Sequence, residues 1–324
     1  MKYRNFGKTG LKISEVVFGA GFVGGILIDA DDDTRRQALR TALDAGVNWI
    51  DTAPMYGNGK SEEALGWLLP EIEDQPTLST KVSLQTDNLD DIQGQVEASM
   101  AQSLRRLNRS SVDVLQLHNP ILPDASDRAV SVDDILRKDG AADALQRMKD
   151  QGLTKHIGIT ALGDHASCRE IITSGRFASA QVYYNMINPS AAMQPGHNVP
   201  GHDFSGIIDD CVAHGVAIMA IRIFAAGVLA TDIRHGREIV VTENSEIADE
   251  EARAHDALGV LGLNEDGVTP YGTRAQTALR YVLANEDISG AVFGLAELSH
   301  LDEILAAAEL GPLPDDALNK LRNI

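Results

Sequence analysis

Residues 16–25 read VVFGAGFVGG. An apolar run with the look of a strand leads into Gly19, Gly21 and Gly24 in the spacing G-x-G-x-x-G, and Asp51 closes the next apolar run, VNWI. Taken alone, this succession suggests the dinucleotide unit of a doubly wound sheet, whose helix opens inside the glycines and turns its N-terminus to a pyrophosphate. The residues that follow argue otherwise. Gly24 runs on into GILIDADDDT, and the N-cap signals Asp31, Asp32 and Asp33 stand well past the glycines. The segment between them reads as a loop. The motif then describes three glycines in a tight strand-to-helix connection, and leaves open whether a ligand lies against it.

The rest of the chain repeats one rhythm. GKTG, a turn cluster flanked by Tyr3 to Phe6 and Leu11 to Ser14, predicts an N-terminal β-hairpin. After it, short apolar runs alternate with amphipathic stretches. VVFGA precedes RRQALRTALDAG, VNWID precedes SEEALGWLLPE, TLSTKV precedes IQGQVEASMAQSLRRLN, and VDVLQLH precedes VDDILRKDGAADALQRMKDQG. HIGIT, SAQVYYN, VAIMAI and SGAVFG follow with DHASCREIITSG, FSGIIDDCVAHG, TRAQTALRYVLAN and LSHLDEILAAAEL. Eight such strand–helix pairs in one chain predict a (β/α)8 barrel, class α/β, rather than an open sheet. No linker interrupts them, so residues 1–324 read as one barrel domain. The long stretches 188–201 and 234–249 read as loops, and in a barrel such loops build the rim of the active site.

Composition narrows the partners. The chain has 324 residues, of which 47 are acidic and 28 basic, a net charge of −19 that repels nucleic acid and anionic membrane surfaces. No apolar run approaches the roughly 18 residues of a membrane helix, and the opening MKYRNFGKTG lacks the apolar core of a secretory signal. A cytoplasmic location is expected. Cys168 and Cys211 stand far apart in sequence and read as buried small hydrophobes, neither a disulfide framework nor a metal site.

Four ionisable residues fall at or near strand ends in consecutive units. They are Asp51, Tyr56 five residues on, Lys81 in LSTK and His118 in LQLHNP. Each alone has a structural explanation, as a cap, a solvated cation or a satisfied hydrogen bonder. A barrel, however, gathers its strand ends around one mouth. A free tyrosine titrates near ~10, and a neighbouring ammonium stabilises a phenolate. A carboxylate would hold that ammonium charged, and a histidine would orient a carbonyl oxygen. The group suits protonation of a carbonyl while a nucleophile reaches its carbon. No side chain offers the nucleophile, and a nicotinamide hydride would supply it.

These stretches resemble the aldo-keto reductase family. The likeness rests on RNFGKTGLKIS, GVNWIDTAPMYGNGKSEEALG, STKV, SLRRL before VDVLQLHNP, GLTKHIGIT, QVYYN and AAGVL, and it covers nearly the whole chain. It implies a (β/α)8 barrel that binds an extended nicotinamide cofactor at its C-terminal mouth. It further implies Tyr56 as general acid, Lys81 and Asp51 as the groups that tune it, and His118 as the group orienting the carbonyl. Gly19, Gly21 and Phe22 would lie near the nicotinamide, whose amide Thr160 and Gln181 would hold, with Asn185 close by. Ile221 stands where many relatives stack a tyrosine. Arg222 would approach the pyrophosphate or substrate, or else pair with a surface acid; Phe224 and Gly227 follow it among the cofactor contacts. Gly294, Glu297, His300 and Glu303 would surround the adenosine end. Relatives that prefer NADP carry Lys-Ser and then Arg where this chain has Ala296, Glu297 and His300, so NAD(H) is expected over NADP(H). Ile304 replaces the usual Asn beside the adenine.

The expected activity is interconversion of a carbonyl (aldehyde, ketone or aldose) and an alcohol or lactone. Oxidation of an aldose to an aldonolactone is a special case, and a general aldehyde reductase is the runner-up. Phe22, Met55 and Asn119 are candidate substrate walls, each equally readable as structural. A regulatory or partner-binding homologue with little turnover is the alternative. A metal-dependent barrel hydrolase would need ligands that His118 alone does not supply.

Overall fold

A computed structural model describes residues 1–73, 75–196, 201–234, 236 and 246–322. Eight parallel strands close into a barrel in chain order: β1 (Val16–Gly19), β2 (Trp49–Asp51), β3 (Thr77–Val82), β4 (Val112–Leu117), β5 (Thr154–Ala161), β6 (Ser179–Tyr183), β7 (Ala217–Ile221) and β8 (Gly290–Gly294). The helices that follow them are α1 (Asp32–Asp44), α2 (Lys60–Leu68), α3 (Ile92–Leu107), α4 (Ala141–Asp150), α5 (His165–Thr173), α6 (Ile207–His214), α7 (Arg274–Leu283) and α8 (Leu298–Leu310). Asp31 and Asp164 cap α1 and α5 through bonds to the amides of Thr34 and Ser167.

Strand alternation divides the apolar residues between two cores. Val16, Phe18, Ile50, Leu78, Leu115, Leu117 and Ile218 join the large outer core with the helices. Val17, Trp49, Val114, Ala217 and Met219 meet Phe6 and Ile13 of the hairpin in a separate inner core. The hairpin pairs Tyr3–Asn5 with Lys12–Ser14, and its Phe6 ring lies 4.5 Å from Trp49. It therefore closes the end of the barrel where the strands begin. Gly7 permits that approach: a Cβ there would lie 2.7 Å from the Ala217 amide, and its φ is +51°.

Several segments differ from the sequence reading. The loop after β1 contains a one-turn helix, Ile26–Asp29, opened by Gly25 at φ 75°. VDDILRKDGAADALQRMKDQG forms two helices, Val132–Leu136 and α4, because the backbone turns extended at Arg137 (ψ 159°) and left-handed at Asp139 (φ 58°) ahead of Gly140. The segment before α7 is not all loop. It holds the helix Ile247–Val260 and a strand pair, Val268–Thr269 with Gly272–Thr273. A further helix, Asp315–Leu321, follows α8. Of the two long loops, residues 197–200, 235 and 237–245 lie outside the described residues. Cys168 and Cys211 are buried free thiols, and burial pushes the Cys211 thiol up to about 12.

The three glycines of the opening motif differ in their reasons. A Cβ on Gly19 would lie 2.7 Å from the Phe293 carbonyl oxygen, and one on Gly24 would lie 2.5 Å from the Leu295 amide. Both let the first loop close against β8. Gly21 has room, its nearest neighbours being the Tyr56 ring atoms at 3.8 Å. Gly24→Ala is therefore expected to cost about 1–3 kcal/mol through overpacking, and Gly21→Ala within about 0.5 kcal/mol, as measured by chemical denaturation.

Candidate active site

Above the apolar inner core the barrel interior turns polar. Trp49 Nε1 donates to Ser79 Oγ at 3.0 Å, and Ser79 Oγ donates to Asp51 Oδ1 at 2.6 Å. Gln116 Nε2 reaches the same oxygen at 3.2 Å. The other carboxylate oxygen, Asp51 Oδ2, accepts from Lys81 Nζ at 2.6 Å. Lys81 is wholly buried and also donates to the Thr52 carbonyl at 2.9 Å and to the Tyr56 hydroxyl at 3.1 Å. An ammonium has three protons, and here each has an acceptor. Because Lys81 donates to the Tyr56 oxygen, the phenol proton must point elsewhere.

Burial by itself would lower the Lys81 pKa, but the Asp51 carboxylate, with Tyr56, outweighs it and holds the ammonium above its ordinary value. Tyr56 is half-buried, and the His118 ring stands edge-on to it with centroids 5.9 Å apart. His118 follows β4, its amide bonded to the Val82 carbonyl at 2.8 Å. Burial, and then the Lys81 charge, push its pKa down to about 3. The imidazole is therefore neutral at physiological pH.

The structure thus brings Asp51, Tyr56, Lys81 and His118 together. It also adds Ser79, Gln116 and Thr52, which sequence reading missed. Their signal was strand period: Ser79 and Gln116 each stand two residues before Lys81 and His118, on the same inward face.

Thr160 and Gln181 are opposite each other in the β5–β6 register. Both are buried, and among the described residues Thr160 Oγ1 and Gln181 Nε2 have no hydrogen-bond partner. Two orphaned polar atoms, an acceptor–donor hydroxyl and an amide donor, fit the carboxamide of a nicotinamide. Asn185 instead serves its own loop, donating to the Arg222 carbonyl and accepting from the amides of Ile187 and Asn188.

Phe22 and Met55 are 40% and 60% exposed, unusual for apolar side chains on loops that open at the mouth. Asn119 differs from them. It is buried, and its amide bonds the Leu84 amide and carbonyl and the Arg128 carbonyl, so it fixes two loops rather than facing a substrate.

Ile221 ends β7, and the following turn is left-handed at Arg222 (φ 57°), Ala225 (45°), Ala226 (57°) and Gly227 (105°), with Phe224 half-buried among them. Burial lowers the Arg222 pKa against Tyr183, Glu250 and Tyr56, which raise it. Glu250 lies on the unforeseen helix Ile247–Val260, its carboxyl raised by burial and opposed by Arg253 and Arg222. At the end of β8, Gly294 and Glu297 are exposed, Glu297 stands at the N-cap position of α8 without a side-chain cap bond, and Glu303 is half-buried beside the buried Ile304. His300 Nδ1 accepts from the Ala296 amide at 3.4 Å. Among the described residues, no helix is long and apolar enough to cross a membrane, and no three His, Cys, Asp or Glu cluster in a way that could hold a metal.

Comparison with known proteins agrees with this architecture. The model of the Aldo/keto reductase family matches residues 15–324. An L-galactose dehydrogenase of Arabidopsis thaliana is 33% identical over 165 residues, 50% of this chain and 49% of that protein; the match thus spans about half of the relative's length. A D-threo-aldose 1-dehydrogenase of a Pseudomonas species is 29% identical over 255 residues, 68% of this chain and 69% of that protein. Among solved structures, the holo form of aldo-keto reductase AKR11C1 from Bacillus halodurans superposes with a TM-score of 0.74 at 21% identity, covering 100% of this chain and 96% of that one.

The neutral His118 has a consequence for stability. Its folded pKa, about 3, lies below the unfolded value of about 6.5. The unfolded chain then binds a proton that the folded chain refuses. The histidine's contribution is fully present above about pH 6.5 and is lost progressively as pH falls toward 3. Denaturant titrations at pH 7.5 and 5 should show a smaller loss of stability for His118→Gln than for the parent protein.

Proposed function

The chain belongs to the aldo/keto reductase family, whose members carry out NAD(P)-dependent oxidoreduction of small carbonyl or sugar substrates, and on that premise we propose that it oxidises a sugar hemiacetal or a related alcohol, with Tyr56 as its general acid and base. The observation that supports this most is the buried Lys81 ammonium, held between Asp51 at 2.6 Å and the Tyr56 hydroxyl at 3.1 Å. Such a charge stabilises the phenolate that remains when Tyr56 gives up its proton.

In reduction Tyr56 gives its proton to the carbonyl oxygen; in oxidation the phenolate takes it from the hydroxyl. Asp51 keeps Lys81 charged and in place throughout. His118, neutral, turns a ring N–H to the substrate oxygen and helps orient it. Thr160 and Gln181 would hold the carboxamide of a nicotinamide, and Arg222 with the turn through Phe224 and Gly227 would meet its phosphates. Bound nicotinamide would supply or accept the hydride. Phe22 and Met55 offer an apolar wall for the substrate. The two sugar dehydrogenases among the relatives support the sugar class.

For the cofactor we propose NAD(H). Glu297 is an exposed carboxylate at the start of α8, and His300 uses Nδ1 as an acceptor. A carboxylate accepts from a free ribose 2′-hydroxyl and repels a 2′-phosphate.

Turnover of a panel of aldoses and aldehydes should be measured with NAD(H) and NADP(H) side by side. Tyr56→Phe should lower kcat by about 10²–10⁴-fold while cofactor binding persists. The triple change Ala296→Lys, Glu297→Ser and His300→Arg should move preference toward NADP(H) by about tenfold or more, the worth of one charge-assisted bond. Cofactor binding with no turnover of any substrate would put the regulatory reading in place of this one.

A further inference from the structure

Tyr56 and Lys81 come from different elements: the barrel ladder pairs Asp51 with Ser79 of β3, but Tyr56 stands five residues past Asp51 and outside the ladder. Lys81 belongs to β3. Tyr56 belongs to a loop whose next three residues are all left-handed, Gly57 at φ 60°, Asn58 at 55° and Gly59 at 94°. That loop ends at α2, which begins at Lys60. The spacing at the site therefore depends on both ends of the loop, the pairing of Asp51 with Ser79 on one side and the joint between α2 and β3 on the other.

The joint is made by Glu62. Its side chain is wholly buried in the first turn of α2. Oε1 accepts from Thr80 Oγ1 at 2.6 Å, and Oε2 accepts from Arg106 Nε at 2.7 Å and lies 2.6 Å from Arg106 Nη2. Thr80 is the chain neighbour of Lys81 and, by strand alternation, leaves the outer face of β3 while Lys81 enters the barrel. Arg106 lies in the last turn of α3. Around it the backbone is tightly fitted: a Cβ on Gly59 would lie 2.9 Å from Arg106 Cδ, and one on Gly66 would lie 2.0 Å from the Arg106 carbonyl oxygen. Ser61, one residue earlier, ties the same turn to the Ala20 carbonyl at 3.0 Å and to Thr52 Oγ1 at 2.8 Å.

We propose that Glu62 is a positioning residue, whose carboxylate, clamped between Thr80 and Arg106, sets the spacing of the Tyr56 hydroxyl from the Lys81 ammonium. The inference rests on the roles given to Tyr56 and Lys81 above. A buried ion pair adds little net stability, since a well-packed apolar pair often serves as well. What it adds is direction, because each bond fixes an angle as well as a distance. A misplacement of 1 Å between reacting groups costs about 10²-fold in rate, so direction matters here more than stability.

The test removes one bond and leaves the ion pair closed. Thr80→Val is nearly isosteric and keeps the Glu62–Arg106 contact; Thr80→Ser keeps the hydroxyl. Tyr56 is titrated in cofactor-free protein by ultraviolet difference spectra against Tyr56→Phe, and kcat and KM are measured in parallel. Thr80→Val should raise the Tyr56 midpoint and lower kcat by about 10- to 100-fold with KM within about twofold, and Thr80→Ser should restore both. Should Thr80→Val fail to fold, the double change Glu62→Leu with Arg106→Leu gives an apolar joint, and the same shift and loss are expected from it. A lowered Tm with an unmoved Tyr56 midpoint, and a kcat that follows only the folded fraction, would overturn the proposal. If the parent protein turns over nothing, the functional reading fails, and the titration alone still decides the role of Glu62.

Discussion

The Lys81 ammonium is enclosed inside a barrel whose lower half is apolar, and it is tolerated there because the Asp51 carboxylate stands 2.6 Å away. Removing an unpaired ion from water costs several kcal/mol. The pair answers that cost with a complete set of bonds. Lys81 fills its three donors with Asp51, Thr52 and Tyr56, while Asp51 fills its second oxygen from Ser79 and Gln116. The architecture around it follows from this demand. Phe6 and Trp49 seal the lower end of the barrel, and Trp49 at the same time orients Ser79 toward Asp51. The apolar inner core and the charged mouth are thus joined by one side chain.

The barrel was legible in the sequence because its repeat is strong. Every strand and the main helix of each unit came from alternation of short apolar runs with amphipathic stretches, and α8 matches LSHLDEILAAAEL to the residue. The segments that escaped lacked that contrast. Ile247–Val260 opens on acidic residues with no apolar stripe at its start, and its buried residues are Glu250 and the later Ala254, Ala257 and Leu258. The break between Leu136 and Ala141 depends on two backbone turns, extended at Arg137 and left-handed at Asp139, inside an apparently continuous helix. At the site, Asp51, Lys81 and His118 were readable from their places at strand ends. Asn119 could be read equally as wall or as structure, and its bonds to Leu84 and Arg128, 35 and nine residues away, support the structural reading.

The glycine motif shows how one local pattern serves different needs. A dinucleotide unit of a doubly wound sheet asks Asp51 to reach a ribose hydroxyl. In this chain Asp51 is sealed within the barrel by Lys81, Ser79 and Gln116. Gly19 and Gly24 are explained by the backbone of β8 and Leu295, with no ligand involved. Gly21 alone borders the Tyr56 ring, and a larger residue there would lie over the phenol.

The polar atoms of the mouth fall into two groups. On β2 and β3 the bonds are closed: Asp51, Ser79 and Lys81 satisfy one another. Beyond them, after β4 and on β5 and β6, His118 Nδ1, Thr160 Oγ1 and Gln181 Nε2 are covered from solvent and have no partner among the described residues. A buried polar atom without a partner costs about 1–3 kcal/mol. A barrel that closes its bonds so fully on one side would gain by filling these positions with apolar side chains of similar shape. Keeping a hydroxyl, an amide and an imidazole there is intelligible if a polar molecule completes their bonds. On the proposed function, the closed side would hold the proton-transfer groups fixed, and the open side would take up what they act on.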